Sequence, residues 1–241
     1  MKQAMATVIP DSAAAPGHAP AVARVVGEIC GMAWQRLDAD ELLHVARAYY
    51  YFSIQFRENL EIACRQHPDD GLLRRLYAEE CHTDNLSPWP GIAGVGERLD
   101  HDEFMRRLLA LQPVAGTPHL DLAGRRYLAR VRRMPDAARA RSIASYEDGG
   151  LSSVFGAMLR MPDWRGRAQQ AFRFFLEQHI KFDTDESGHG ALSRHLAPDD
   201  SILPLWTAFR DILALAAPRL CGSDTKRRPR RLAYLQPVPS L

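Results

Sequence analysis

Acids and histidines that share a helix face with apolar neighbours are the residues of this chain best placed to do chemistry, and three segments hold them. In Tyr77-Ala78-Glu79-Glu80-Cys81-His82, Glu79 and His82 stand at i and i+3. On a helix they lie about 60° apart, so a carboxylate oxygen and an imidazole nitrogen can converge on one metal ion. Between Phe175 and Gly190, the residues His179, Asp183 and Glu186 follow an i, i+4, i+7 rule. They fall at roughly 0°, +40° and −20° around the axis, a narrow stripe, with His189 at about −80° on its edge. The Ser187-Gly188 step before His189 can swing it inward, and Glu186 and His189 form a second Glu-x-x-His. Glu147, in Ser145-Tyr146-Glu147-Asp148, precedes an apolar stripe of Leu151, Val154, Phe155 and Leu159.

Taken singly, each motif has an ordinary reading. Solvated helices produce Glu-x-x-His pairs, and Glu147 is within reach of Arg139 or Arg141 as a salt-bridge partner. Together, Glu79, His82, Glu147, His179 and Asp183, with Glu186 or His189, supply a mixed nitrogen and oxygen shell. Iron that activates dioxygen needs such a shell with open positions, and Glu-x-x-His steps build the di-iron sites of helical bundles. Zinc is a rival for these donors, but Cys30, Cys64, Cys81 and Cys221 are scattered without a CxxC pair. Without an export signal they read as free thiols of a reducing cytoplasm. Should no metal bind, Cys81 beside Glu80 is the alternative nucleophile.

Helices must position these groups, since no segment shows period-2 alternation with β-branched enrichment. The expected order begins with a helix from Pro20 to about Arg36, with Val22, Val25, Val26 and Ile29 on one face. A longer one, capped by Asp38 or Asp40, runs through Gln66. Another spans Asp70 to about Asp84, followed by a Pro/Gly loop over Ser87 to Gly96. Further helices start at Asp100 and cover Leu120–Arg133, Pro135–Leu159 with a soft spot at Gly149-Gly150, Trp164–His195, and a last stretch from Asp199 to about Leu220. Tyr49, Tyr50, Tyr51, Phe52, Phe56 and Phe175 are candidates to line a substrate pocket, with ordinary core packing as their simpler role.

Composition bounds the class. The chain has 241 residues, 46% of them hydrophobic and 25% charged, enough to bury one sizeable core and too apolar for general disorder. A net charge of +2 argues against nucleic acid as the main partner. The most apolar stretch, Ile202 to Ala217, is interrupted by Pro204, Arg210 and Asp211, so no bilayer span is expected. The expected layout is an Ala/Pro-rich leader over 1–19, one all-α domain over 20–221, and a basic tail over 222–241.

The ordered set Glu79-x-x-His82, Glu147, then His179-x3-Asp183 resembles the haem-oxygenase-like di-iron oxidases, seven-helix bundles described as iron-containing redox enzymes. The stretch His179-Ile180-Lys181-Phe182-Asp183, followed by His189-Gly190, is similar to the late-helix signature of one branch of that superfamily. The resemblance covers about Ala48 to Leu196. It implies two Fe2+ ions per chain, O2 as co-substrate, and oxidation of a small metabolite in a biosynthetic pathway. Amine N-oxygenation, desaturation and oxidative C–C cleavage are the reactions it suggests, with homodimerisation an option for such a bundle. One departure and one ambiguity matter. The family's last histidine is expected three residues after the Asp, where this chain has Glu186, and His189 follows three residues later. His101 competes with His82 for the early histidine; the helical i, i+3 step favours His82, because His101 lies across the Pro/Gly loop. A metal-independent enzyme of the same fold and a non-catalytic helical binding protein are the alternatives.

Overall fold

A computed structural model describes residues 20–115, 117–184 and 188–222, with the side chains of 183 and 184 outside that description. The leader and most of the basic tail expected from the sequence therefore lie outside the described residues. The described residues are helical, joined by loops and 3-10 turns, and contain no strand.

The elements in chain order are α1 (Pro20–Cys30), α2 (Ala39–Gln66), α3 (Gly71–Glu80), α4 (His101–Ala110) and α5 (Thr117–Val131). They continue with α6 (Asp136–Ser145), α7 (Leu151–Met158), α8 (Arg167–Thr184), α9 (His189–Ser193) and α10 (Leu203–Ala216). Among the described residues nine helices reach eight residues or more, against the about seven that the resemblance implied. Two expected long helices are divided. Pro135–Leu159 becomes α6 and α7, and Trp164–His195 becomes α8 and α9.

The hub is α2. Its start is set by a reciprocal capping box: Asp38 accepts the Glu41 amide proton, and the Glu41 side chain accepts that of Asp38. At about 1.5 Å per residue its 28 residues span roughly 42 Å. Helices α3, α4, α5, α6, α8 and α10 all pack on it. Its buried face carries Leu42, Tyr49, Phe52, Phe56 and Leu60. Phe52 meets Phe209 of α10 with ring centroids 4.2 Å apart, and Tyr49 meets Phe175 of α8 edge-on at 5.4 Å.

Two local features decide where the polar residues go. Helix α3 stops at Glu80, and Cys81 and His82 leave helical geometry, His82 with φ +49°. The chain returns through a closed loop. Thr83 and Leu99 exchange both backbone hydrogen bonds, at 3.1 and 2.9 Å. Asp100 accepts the His82 amide proton at 2.8 Å, and Arg98 donates to the His82 carbonyl at 2.7 Å. The second feature is a single π-type turn, Tyr146–Gly150, between α6 and α7. Inside it Asp148 leaves helical geometry and Gly149 takes φ +86°, a left-handed conformation suited to glycine.

Candidate metal centre

Five buried residues from five elements meet beside α2: Glu80, His101, Glu147, His179 and His189, none more than 7% exposed. Glu80 is the last residue of α3, His101 the first of α4, and His189 the first of α9. Glu147 sits in the π-type turn, and His179 in the C-terminal part of α8. Helix ends and a helical break aim four of these side chains inward, and His179 comes from within α8.

The five form two groups that share one residue. On one side are Glu80, His101 and His179, and on the other Glu80, Glu147 and His189. Glu80 Oε2 lies 2.8 Å from His101 Nδ1, which is 3.0 Å from His179 Nε2. The other oxygen, Glu80 Oε1, lies 3.0 Å from His189 Nδ1, as does Glu147 Oε2. Neither of those two oxygens makes an aligned hydrogen bond. Two carboxylates and three imidazoles thus converge in the interior, an arrangement that costs several kcal/mol per ion unless a partner charge is supplied.

Backbone and side-chain partners fix the rings from behind. The Phe175 carbonyl, which can only accept, is 2.8 Å from His179 Nδ1. That nitrogen carries the proton, and Nε2 turns its lone pair into the cluster. Phe175 also stacks on the same ring, centroids 4.1 Å apart. His189 Nε2 is 3.3 Å from Glu79 Oε2, and His101 Nε2 is 3.2 Å from Asn85 Oδ1. Outer hydrogen bonds of this kind orient metal-binding imidazoles.

The electrostatics follow from burial and proximity. Burial, with His101 beside it, brings His179 down to about 3, so its ring is neutral. Burial disfavours charge on His189 too, but Glu80 and Glu147 outweigh it and push that ring up to about 11. Burial alone raises Glu80, yet His101 and His189 hold its carboxyl well below the usual range. Burial raises Glu147, with the Glu80 charge adding to it against His189. Without a metal, a proton on His189 holds two carboxylates together. Divalent cations suit the same position, and the donor set of buried carboxylates and imidazoles fits one or two of them.

A small cavity touches both groups, lined on its apolar side by Tyr49, Phe56 and Leu151 and on its polar side by Arg57, Cys81 and Asp102. Arg57 grips Asp102 through two bonds, at 3.0 and 3.2 Å, and Glu61 through a third at 2.8 Å.

The sequence-based candidates divide as follows. Glu147, His179 and His189 are in the cluster. Glu79 is not: it is half-buried, bonded to Arg75 at 2.7 Å, and reaches the cluster only behind His189. Its neighbour Glu80 points inward instead. His82 is exposed, because α3 ends before it and the i, i+3 pairing never forms. His101 takes the place expected of His82, since the closed loop brings it back beside Glu80. Asp183 lies in the last turn of α8 with its side chain outside the described residues, and Glu186 lies outside them altogether. Of the pocket candidates, Tyr49 and Phe56 line the cavity. Tyr51 packs on Gly124 and donates to Asp121 at 3.0 Å, Tyr50 meets Tyr51 edge-on, and Phe52 belongs to the aromatic core. Phe175 acts on the site through His179. Glu80 and Asn85 were missed, although Leu73, Leu76 and Glu80 share one face of α3 and that periodicity points to Glu80.

No family model matches the chain, and neither a curated protein nor a solved structure matches it.

Proposed function

We propose that this chain is a non-haem dinuclear metal enzyme that uses dioxygen to oxidise a small metabolite. The observation that carries the reading is Glu80, whose two oxygens face two separate donor groups, as a carboxylate bridging two metal ions does. The first position has His101 and His179, and the second has Glu147 and His189. Mixed nitrogen and oxygen donors suit iron. The resemblance to haem-oxygenase-like di-iron oxidases, carried by Glu147 and His179 without the Glu79–His82 pair, is the ground for naming iron, O2 and a bundle of that type. When bound, such a pair supplies electrons to dioxygen and returns oxidising power to the substrate.

The chain's own residues have definable parts in this. Phe175 holds the His179 ring by stacking and by its carbonyl, and so keeps the Nε2 lone pair aimed. Tyr49, Phe56 and Leu151 exclude water from the reacting side of the cavity, which protects oxidised species from quenching. The Arg57–Asp102 pair forms the polar wall and is where a charged substrate group meets the protein.

Anaerobic loading with Fe(II), desalting and iron analysis test the reading, followed by exposure to O2 with absorption recorded. About two irons per chain that oxidise on contact with O2 are expected for a dinuclear centre. Absence of bound iron rejects it and turns attention to a metal-free enzyme or a binding protein.

A further inference from the structure

We propose that Asn85 is a positioning residue that fixes the tautomer and orientation of His101, turning its Nδ1 toward Glu80 and His179. The inference rests on the metal-centre reading for its purpose, though not for its geometry.

Asn85 lies in the loop after α3, and its amide is clamped at both ends. Its Nδ2 donates to the Glu79 carbonyl at 2.7 Å, and its Oδ1 faces His101 Nε2 at 3.2 Å. The orientation of an Asn amide is set by its partners. A backbone carbonyl accepts only, so the nitrogen must face Glu79 and the oxygen must face His101. The ring nitrogen on that side must therefore donate. With the proton on Nε2, a neutral His101 carries its lone pair on Nδ1, 2.8 Å from a Glu80 oxygen and 3.0 Å from His179 Nε2. The Phe175 carbonyl imposes the corresponding choice on His179. Three acceptor atoms thus face a common point. A cation suits that point.

The loop explains why a residue outside any helix can hold such a position. The Thr83–Leu99 bridge and the Asp100 contact to His82 close the loop beside Asn85. The bracing bond to Glu79 ties the amide to the same helix end that presents Glu80. One side chain thereby sets the distance between a carboxylate and an imidazole on different helices.

Two variants test the assignment. Asn85→Leu removes the acceptor, whereas Asn85→Asp keeps an acceptor and removes the donor to Glu79. Imidazole 15N signals of the metal-free protein, assigned with His101→Gln, report the ring proton. Co(II) affinity, measured by chelator competition, reports the site, and a thermal melt of each variant reports folding. In wild type and Asn85→Asp the His101 Nε2 proton is expected to be protected from exchange, with Co(II) affinity in the variant within about threefold of wild type. In Asn85→Leu the protection is lost and the affinity falls about 10–100-fold, the usual cost of removing an outer partner. Unchanged ring signals in folded Asn85→Leu overturn the proposal. Equal weakening of both folded variants also overturns it, because loop bracing then explains the effect. If wild type binds no Co(II), the metal-centre reading fails, and the ring signals alone decide the role of Asn85.

Discussion

Glu80 and His101 stand at the two ends of the loop over residues 81–100, yet their side chains meet at 2.8 Å. One ends α3 and the other begins α4, so the loop that separates them in sequence joins them in space. Both are buried, and both face His179 or His189 from elements later in the chain.

Glu80 should therefore matter more than any other acid. Glu80→Gln is expected to take the metal content from about two ions per chain to near zero, because both positions share that carboxylate. Glu147→Gln removes a donor from the second position alone and should leave about one ion. His82→Ala should bind as wild type does, since that side chain is exposed. Metal analysis after equilibrium dialysis separates these outcomes. Retention of both ions by Glu80→Gln would refute the bridge.

The metal-free protein should be most stable near neutral pH. His179 titrates at about 3 in the folded chain and at about 6.5 when unfolded. Between those values the unfolded chain binds the proton and the folded chain does not, so stability falls as pH drops through that window. His189 is shifted the other way, to about 11. Its contribution is whole below about 6.5 and is lost as pH rises toward about 11. Glu80, held low, adds to the acid loss below the ordinary carboxylate range, while the raised Glu147 partly offsets it. Thermal midpoints across pH, with chelator present, should trace a dome. His179→Gln should flatten its acid limb between about pH 4 and 6, and an unaltered limb would remove His179 as the cause.

Cys81 lines the cavity but should be inert. Burial pushes its thiol far above the ordinary range, with the Glu80 charge adding to the effect. The reactive species is the thiolate, so native Cys81 is a poor nucleophile. Alkylation by iodoacetamide should modify Cys221, the exposed cysteine, well before Cys81. Cys81→Ser should keep its metal, and fast labelling of Cys81 would revive the thiol-dependent alternative.

Gly150 is held by its surroundings. A Cβ there would lie 2.1 Å from the Ser145 carbonyl oxygen and 2.9 Å from the Trp206 ring. Gly150→Ala should cost about 1–3 kcal/mol in urea unfolding, as overpacking does. Because the shift falls in the turn carrying Glu147, the second metal position should weaken with it. A neutral substitution would show that the turn adjusts freely.

Much of the helical pattern was legible. The Val22, Val25, Val26 and Ile29 stripe is the buried face of α1, and the Asp38 and Asp70 caps mark the starts of α2 and α3. His179 and Glu147 could be named because each adjoins an apolar run, and His189 because it stands at the edge of the His179 stripe, three residues after Glu186. The failures occur where helices end. Nothing between Glu79 and His82 announces that α3 stops, since Glu and Cys both tolerate a helix interior. The break at Asp148 and Gly149 was visible only as a soft spot, whereas its effect, turning Glu147 inward, depends on a register that tertiary packing sets. Residue spacing can only find pairs within one helix. The contact of Glu80 with His101 depends on the Thr83–Leu99 bridge, formed by residue types found in any loop.

That bridge also leaves the outermost turn of the stretch it encloses open to changes in length. The outermost turn, Gly94-Val95-Gly96, carries a valine left 91% exposed. Doubling a flexible loop costs only about 0.6 kcal/mol of closure entropy. Insertions and deletions at Val95 should therefore pass with little effect on Glu80 and His101. In sequences sharing this centre, the interval between that acid and that histidine becomes a drifting quantity. A signature for it has to be written as two anchored halves with an open gap.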